Sequence, residues 1–253
     1  MTRVLLLGGT SEASGIALAL AEAAVSAMFS YAGRTAMPMT QPLPTRVGGF
    51  GGVDGLIRYL NTEQITHVID ATHPFAAQMS RHAVLACAKT QTPLIAYERL
   101  PWVAEAGDDW RHVPDVEAAV AALPEAAARV FLAIGKQTLA PFAARPQHFY
   151  LLRLVDTPKA ALPLLKVETL LARGPFTIEG DLALLRAHRI THVVAKNAGG
   201  DGARAKLVAA RELSVPVILI ERPHMPERHI ARNVDEVMCW LGHAVRPGAD
   251  RGV

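Results

Sequence analysis

The chain has 253 residues, 51% of them hydrophobic, and a formal net charge of +3, which suits a compact protein with a large core. Its basic residues are scattered rather than gathered in a stripe, which favours a small anionic ligand and argues against nucleic acid. With no signal-peptide pattern and no apolar stretch long enough to span a bilayer, a cytoplasmic protein without a membrane partner is predicted.

Short apolar runs alternate with helical patterns along the chain, which is typical of βα units and a parallel sheet. The predicted strands cover residues 4–7, 27–31, 68–70, 94–97, 130–133, 149–152, 193–195 and 217–220. The predicted helices cover residues 12–24, 54–60, 76–89, 116–123, 139–144, 179–187, 203–213 and 234–241. Asn233 is the expected N-cap of the last helix, and Gly242 follows its end.

A sequence pattern recurs about half the chain length apart, most clearly as Ile65-Thr66-His67-Val68 and Ile190-Thr191-His192-Val193. We interpret it as an internal duplication. The predicted fold class is therefore α/β, with two Rossmann-like units that each carry a parallel sheet with helices on both faces. The expected domains are residues 1–125 and 126–253, with a ligand cleft between them.

The two cysteines, Cys87 and Cys239, both lie in apolar helical patterns and are predicted to be buried free thiols. His188 and His192 are spaced as a helical pair would be, but no cysteine or carboxylate cluster completes a zinc set. No metal site is predicted.

The first predicted strand leads through a glycine-rich turn directly into the first helix, where backbone N–H groups could meet a phosphate. The candidate cofactor-binding residues in this turn are Gly8, Gly9, Thr10, Ser11, Glu12 and Ala13. The spacing departs from a strict dinucleotide fingerprint, although Gly8 and Gly15 could bracket a loosened version. The alternative is a tight structural turn capped by Ser11.

The end of the second predicted strand indicates which nucleotide would bind. NAD-binding units usually carry an acidic residue there, whereas an arginine accommodates the 2′-phosphate of NADP. No Asp or Glu occurs in residues 23–53, and Arg34 and Thr35 follow the strand. We therefore favour NADP over NAD, with Arg34 and Thr35 as cofactor-binding candidates.

Two further segments are candidates for the site. Gly49, Phe50 and Gly51 are candidate substrate-binding residues, because they offer exposed backbone N–H groups and a ring that could pack on a flat ligand. Thr72, a cofactor-binding candidate, and His73, the catalytic candidate, follow a predicted strand at the edge where open α/β sheets bind ligands. His73 could transfer a proton, and the alternative is a structural hydrogen bond.

The second half places cationic and polar residues at the equivalent strand ends: Lys136, Arg153, Lys196, Asn197, Gly199, Gly200 and Arg222. Several of these cations together could receive substrate carboxylates, whereas a single exposed pair is worth only about 0–1 kcal/mol. The alternative interpretation is a solvated basic surface.

Four motifs together resemble the precorrin-6A reductases of cobalamin biosynthesis: residues 8–13, Asp70-Ala71-Thr72-His73-Pro74-Phe75-Ala76, Gly135-Lys136, and Lys196-Asn197-Ala198-Gly199-Gly200. The resemblance implies an NADPH-dependent enzyme that reduces one C=C bond of precorrin-6A to give precorrin-6B. It also implies that the first unit holds NADPH and that the second contacts the polycarboxylate substrate.

Other functions stay open on the residues alone. The substrate could be cobalt-precorrin-6A, or the chain could be an NADPH-dependent reductase of another polyanionic metabolite. A two-lobed ligand-binding protein without turnover is the non-enzymatic alternative. The sequence does not predict the oligomeric state.

Overall fold

The computed structural model describes residues 1–33, 39–158 and 160–242. They form two α/β units, each built on a six-stranded sheet in which every neighbouring pair of strands is parallel. The first unit comprises residues 1–99 and the segment that begins at His224, and the second comprises residues 100–223. The predicted fold class, parallel-sheet α/β in two units, is confirmed.

The strands are β1 (Arg3–Leu7), β2 (Ser26–Tyr31), β3 (Thr45–Val47), β4 (His67–Asp70), β5 (Leu94–Tyr97), β6 (Trp110–Val113), β7 (Arg129–Ala133), β8 (Phe149–Leu154), β9 (Val167–Leu171), β10 (His192–Lys196), β11 (Val217–Ile220) and β12 (His229–Ala231). The α-helices are α1 (Ser11–Glu22), α2 (Gly52–Thr62), α3 (Ala77–Thr90), α4 (Val116–Ala122), α5 (Ile178–Ala187), α6 (Ala205–Glu212) and α7 (Val234–Trp240). Short 3₁₀ segments cover Lys136–Thr138, Ala140–Ala144 and Asp201–Ala203.

Both sheets have the same strand order, β12-β5-β4-β1-β2-β3 in the first unit and β6-β11-β10-β7-β8-β9 in the second. Each takes one edge strand from outside its own half of the chain. β12 pairs with β5, and β6 pairs with β11. The units therefore differ from the predicted ranges 1–125 and 126–253. β6, from the first half of the chain, belongs to the second sheet, and β12, from the second half, belongs to the first sheet.

Helices cover both faces of the first sheet, and alternation along β1 explains how. Val4 and Leu6 pack with α1 and α7, whereas Leu5 and Leu7 pack with α2 and α3. All four side chains are at most 2% exposed. A fully buried strand of this kind reads as a continuous apolar run.

The repeated Ile-Thr-His motif makes the same hydrogen bonds in both units. The Thr66 hydroxyl accepts from the Arg3 N–H at 2.8 Å, and the Thr66 N–H donates to the Arg3 carbonyl at 2.8 Å. Thr191 does the same with Arg129, at 3.1 Å and 2.8 Å. The motif thus joins the start of β1 to the residue before β4, and the start of β7 to the residue before β10. The recurrence in the sequence therefore has a structural cause.

All eight predicted strands are confirmed, and the four that the sequence analysis missed are the four sheet edges, β3, β6, β9 and β12. Edge strands carry polar, exposed side chains, and three of these four span only three or four residues. They therefore lack an apolar run. Asn233 caps α7 as predicted, whereas the predicted helix at 139–144 is a 3₁₀ segment containing Pro141, which has no N–H.

The cysteine prediction is half right. Cys87 lies on the buried face of α3 and is 3% exposed, and burial together with the nearby Asp70 carboxylate raises its pKa to about 12. The prediction for Cys239 is wrong, since it lies on the exposed side of α7. Among the described residues, no helix combines the length and apolar character needed to cross a bilayer.

His148 makes the stability of the second unit depend on pH. It is fully buried, and its Nδ1 accepts a hydrogen bond from the Ala128 N–H at 3.0 Å, which requires the neutral ring. Burial lowers its pKa from the ordinary 6.5, and the charge of Arg145 lowers it further. As the pH falls, the unfolded chain takes up the proton before the folded chain does. The contribution of neutral His148 to the free energy of unfolding is therefore complete above pH 6.5 and is lost as the pH falls below it.

We therefore expect the free energy of unfolding, measured by urea denaturation, to fall as the pH is lowered through this range. His148→Gln keeps an acceptor without a titrating ring and should reduce the fall. Part of it should persist, because burial also lowers the pKa of His67 and His192. The same substitution at the exposed His229 is the control, and an equal pH dependence in both variants would contradict the assignment.

Candidate active site

Thr10 organises the turn between β1 and α1. Its hydroxyl accepts a hydrogen bond from the Ala13 N–H at 3.1 Å and donates one to the Ala71 carbonyl at 2.9 Å. Thr10 is therefore the N-cap of α1, and the alternative that Ser11 caps the helix is wrong. The Ser11 hydroxyl instead donates to the Glu12 carboxylate at 3.1 Å. Both hydroxyls in the turn are already used within the protein.

The glycines of this turn serve different purposes. A Cβ on Gly8 would lie 2.2 Å from the buried ring of Phe29, so only glycine fits there. Gly9 has a φ of +124°, a conformation that favours glycine, and no heavy atom lies within 4 Å of where its Cβ would be. The backbone of Gly9 is thus open to an approaching group. Gly15 lies inside α1, where a Cβ would meet only Val234 at 3.9 Å.

A half-buried ion pair lies beside the turn. The Arg99 guanidinium donates to the Glu12 carboxylate at 2.7 Å, and both side chains are 19% exposed. Burial alone would raise the pKa of Glu12, but its own backbone N–H and Arg99 lower it overall, so the carboxylate is ionised at neutral pH. Arg99 thereby neutralises the acid in the first turn of α1. A narrow pocket at this pair is lined by Thr10, Glu12, Ala71, Thr72, Pro74, Tyr97 and Arg99.

The loop after β4 is held by the carboxylate of Asp70. Its Oδ1 accepts hydrogen bonds from the Thr72 hydroxyl at 2.7 Å and the Thr72 N–H at 3.2 Å. The Thr72 hydroxyl also lies 3.2 Å from that of Ser80 on α3. Asp70 is 3% exposed, and its Oδ2 has no hydrogen-bond partner among the described residues. The side chain of Thr72, a cofactor-binding candidate, is thus held in place by Asp70 and Ser80.

His73 is exposed beyond this loop, and its Nδ1 accepts from the Phe75 N–H at 3.2 Å. In the neutral ring Nε2 must then carry the proton. The imidazole is consequently oriented as a donor at Nε2, which is compatible with both the proton-transfer and the structural interpretations.

Next to the end of β2 lies an arginine of the adjacent strand that the sequence analysis missed. Arg46 on β3 is paired in register with Ser30 on β2, and its Nη1 donates to the Ser30 hydroxyl at 2.8 Å. Its guanidinium stacks on the Phe50 ring, 3.9 Å from the centroid. Arg34 and Thr35, the predicted candidates at this strand end, lie outside the described residues. The only signal for Arg46 was a lone arginine between Pro44 and the glycine run.

The candidate substrate residues at the start of α2 support this arrangement. The Gly49 carbonyl accepts from Arg46 at 3.1 Å, and Phe50 lies under its guanidinium. Gly51 adopts a φ of +81° as the residue before α2. These residues therefore lie in the first unit, at the β3 edge of its sheet.

Arg153 is not placed to receive a substrate carboxylate. Its guanidinium forms two hydrogen bonds with Asp181, at 2.5 Å and 3.3 Å, and stacks 3.7 Å from the centroid of the Phe176 ring. The two charged side chains are 8% and 3% exposed. Removing one partner of such a pair leaves a buried charge, so Arg153 is a structural residue of the second unit.

The other cations of the second unit differ in exposure. Lys136 is exposed and follows Gly135, whose φ is +75°. Lys196 is half-buried, and its Nζ donates to the Ile134 carbonyl at 2.9 Å. Lys136 follows β7 and Lys196 is the last residue of the neighbouring strand β10, so both lie at the carboxyl ends of parallel strands in the second sheet.

Asn197, Gly199, Gly200 and Arg222 are brought together, but largely to hold the loop after β10. The Asn197 amide bonds the backbone of Trp102 in both directions, at 2.8 Å and 3.2 Å. Arg222 donates to the carbonyls of Asn197 and Ala198, both at 2.9 Å. A Cβ on Gly199 would lie 2.0 Å from the Leu100 carbonyl oxygen. The polar side chains of this loop therefore hydrogen-bond to backbone groups and hold neighbouring segments of the second unit together.

A model of the family described as precorrin-6x reductase CbiJ/CobK matches residues 3–242. The chain belongs to that family. It is 63% identical to the precorrin-6A reductase of Rhodobacter capsulatus over the full length of both chains. It is also 44% identical to the precorrin-6A reductase of a Sinorhizobium species, covering 97% of this chain and 94% of that one. The predicted family is therefore confirmed.

The fold of this precorrin-6x reductase is also found in a solved structure described as CobK precorrin-6A reductase. The two chains are 64% identical and superpose with a TM-score of 0.92 over 96% of each. More distant members include the cobalt-precorrin-6A reductase of Priestia megaterium, which is 29% identical over 96% of this chain and 99% of its own.

The contrast between Gly8 and Gly15 gives a matched pair of substitutions in this reductase. Gly8→Ala should destabilise the protein by about 1–3 kcal/mol, because its Cβ would overlap the buried Phe29 ring. Gly15→Ala should stabilise it by about 0.5–1 kcal/mol, since alanine is favoured over glycine in an exposed helix. Urea denaturation measures both, and equal effects would refute the packing argument.

Proposed function

We propose that this precorrin-6x reductase reduces one C=C bond of precorrin-6A, giving precorrin-6B, with NADPH as the hydride donor. The observation that carries the proposal is the 63% identity to the precorrin-6A reductase of Rhodobacter capsulatus, in a match that covers 100% of each chain. A reductase of this family uses a nicotinamide cofactor. The choice of NADPH rests on the absence of any acidic residue in positions 23–53.

The turn between β1 and α1 fits a dinucleotide pyrophosphate. The open backbone at Gly9 lets a phosphate approach, and the N-terminus of α1 directs N–H groups and a partial positive charge toward it. Because the Thr10 and Ser11 hydroxyls are used internally, the turn would bind through backbone N–H groups. The residues assigned to this role are Gly8, Gly9, Thr10, Ser11, Glu12 and Ala13.

Arg99 makes that assignment electrostatically consistent. A carboxylate in the first turn of α1 would otherwise repel a pyrophosphate, and the 2.7 Å ion pair with Arg99 removes this repulsion. Arg34 and Thr35 remain candidates at the end of β2.

When bound, NADPH supplies the hydride, and the protein has to align the reacting atoms and exclude water. Thr72, fixed by Asp70 and Ser80, and His73 are the residues assigned to the nicotinamide end. Lys136, Lys196 and Arg222 are assigned to substrate carboxylates, with Asn197, Gly199 and Gly200 shaping the loop beside them. Arg153 is removed from this group because Asp181 neutralises it.

The proposed function is tested by mixing the protein anaerobically with NADPH and precorrin-6A. We expect substrate-dependent loss of the reduced-nicotinamide absorbance together with a change in the macrocycle spectrum. NADH is the cofactor control, and cobalt-precorrin-6A is the substrate control. The relatives named for the cobalt-bearing substrate are at most 31% identical, which favours the metal-free one. Cofactor binding without either spectral change would refute the reductase proposal.

A second measurement decides the role of His73. If its Nε2 proton is transferred in the reaction, His73→Ala should slow single-turnover reduction by about 100-fold or more. If the substrate already carries a proton on a ring nitrogen, the rate should be unchanged, and His73 would have only a structural role. His229→Ala, at an exposed position on β12, is the matched control.

A further inference from the structure

We propose that Arg46 binds the 2′-phosphate of NADPH and is the residue that distinguishes NADPH from NADH. This inference rests on the proposed function and assigns a further residue to its cofactor site. Three features of Arg46 support this role: its position, the way its guanidinium is held, and the lack of an opposing charge among the described residues.

The position of Arg46 follows from the strand register. Gly8 donates its N–H to the Ser30 carbonyl at 3.0 Å, and Ser30 is opposite Arg46 in the β2–β3 pair. The phosphate-binding turn, the end of β2 and Arg46 therefore lie on three adjacent strands at one sheet edge. Neighbouring strands are about 4.8 Å apart, so Arg46 lies about 10 Å from the turn. In dinucleotide-binding units, the adenosine ribose lies over the end of the second strand.

Neutral oxygens hold the guanidinium in a fixed orientation. Nη1 donates to the Ser30 hydroxyl at 2.8 Å and the Gly48 carbonyl at 3.0 Å, and Nη2 donates to the Gly49 carbonyl at 3.1 Å. The plane of the group stacks on Phe50, and the Tyr59 ring lies 5.1 Å away. Within the described part of the chain, these contacts leave Nε–H and one N–H of Nη2 without an acceptor. Two remaining N–H donors are the number that a bidentate contact with a phosphate needs.

The charge of Arg46 has no counterion among the described residues. No carboxylate there lies within 4.0 Å of its guanidinium, in contrast to Arg99 and Arg153, which face Glu12 and Asp181. Burial lowers the pKa of Arg46 and the nearby Tyr59 raises it, but an arginine stays charged at neutral pH. A half-buried, oriented and uncompensated cation is stabilised by a dianion and gains nothing from the 2′-hydroxyl of NADH.

The test separates the 2′-phosphate from the rest of the cofactor. Binding of 2′,5′-ADP and of 5′-AMP is measured by calorimetry on wild type, Arg46→Gln and Arg46→Lys, beside NADPH and NADH turnover. Arg46→Gln should weaken 2′,5′-ADP binding by about 30-fold and leave 5′-AMP binding nearly unchanged. Arg46→Lys keeps the charge but loses the bidentate geometry, so it should fall between. Arg58→Gln, at an exposed position on α2, is the matched control.

The outcomes separate this inference from the proposed function. Wild type that turns over NADPH with a preference lost in Arg46→Gln supports both. If the preference persists in both Arg46 variants and is lost in Arg34→Ala, the inference is overturned and the proposed function stands. Equal loss of 2′,5′-ADP and 5′-AMP binding, with a lowered unfolding temperature, assigns Arg46 a structural role and also overturns it. Wild type that binds 2′,5′-ADP no better than 5′-AMP overturns the inference and the choice of NADPH, whereas the reduction of precorrin-6A is decided by the turnover measurement.

Discussion

The contact between Gly8 and Phe29 is the constraint on which the proposed cofactor site depends. A Cβ at position 8 would lie 2.2 Å from the buried ring of Phe29, so the residue that follows β1 has to be glycine. Gly9 then turns at a φ of +124°, and Thr10 caps α1 while reaching the Ala71 carbonyl after β4. One hydroxyl thus joins the ends of β1 and β4, and Asp70 fixes Thr72 immediately beyond. The geometry of this turn therefore depends on the backbone at Gly8 and Gly9 and on the Thr10 hydroxyl.

The two units treat the same structural position in opposite ways. Arg153 on β8 corresponds to Ser30 on β2, because each directly follows the residue that pairs with Leu132 of β7 or with Leu6 of β1. In the second unit this cation faces buried Asp181 and belongs to the core. In the first unit the neutral Ser30 instead accepts from Arg46 on the adjacent strand. Two copies of one architecture therefore place a cation near the end of the second strand, and among the described residues only the cation of the first unit lacks a counterion.

The sequence was sufficient for the central strands because a strand buried on both faces must be apolar throughout, as β1 and β11 are. It was insufficient for β3, β6, β9 and β12, because an edge strand owes its conformation to one neighbour and needs no apolar run. The error in the unit boundaries has the same origin. Pairing between β12 and β5 is non-local and leaves no local signature. Arg46 was missed for this reason too, since it gains its position only through β3.

The prediction that cations at strand ends bind substrate failed to consider a second role for such residues. Cations after parallel strands were expected to face a ligand, yet the carbonyls that end those strands need donors as well. Lys196 donates to Ile134, and Arg222 donates to Asn197 and Ala198. A cation at a strand end is therefore first a candidate for holding its own loop. What distinguishes a ligand-binding cation is a fixed orientation combined with an unanswered charge, and that combination can be recognised only when the partners of each guanidinium and ammonium group are known.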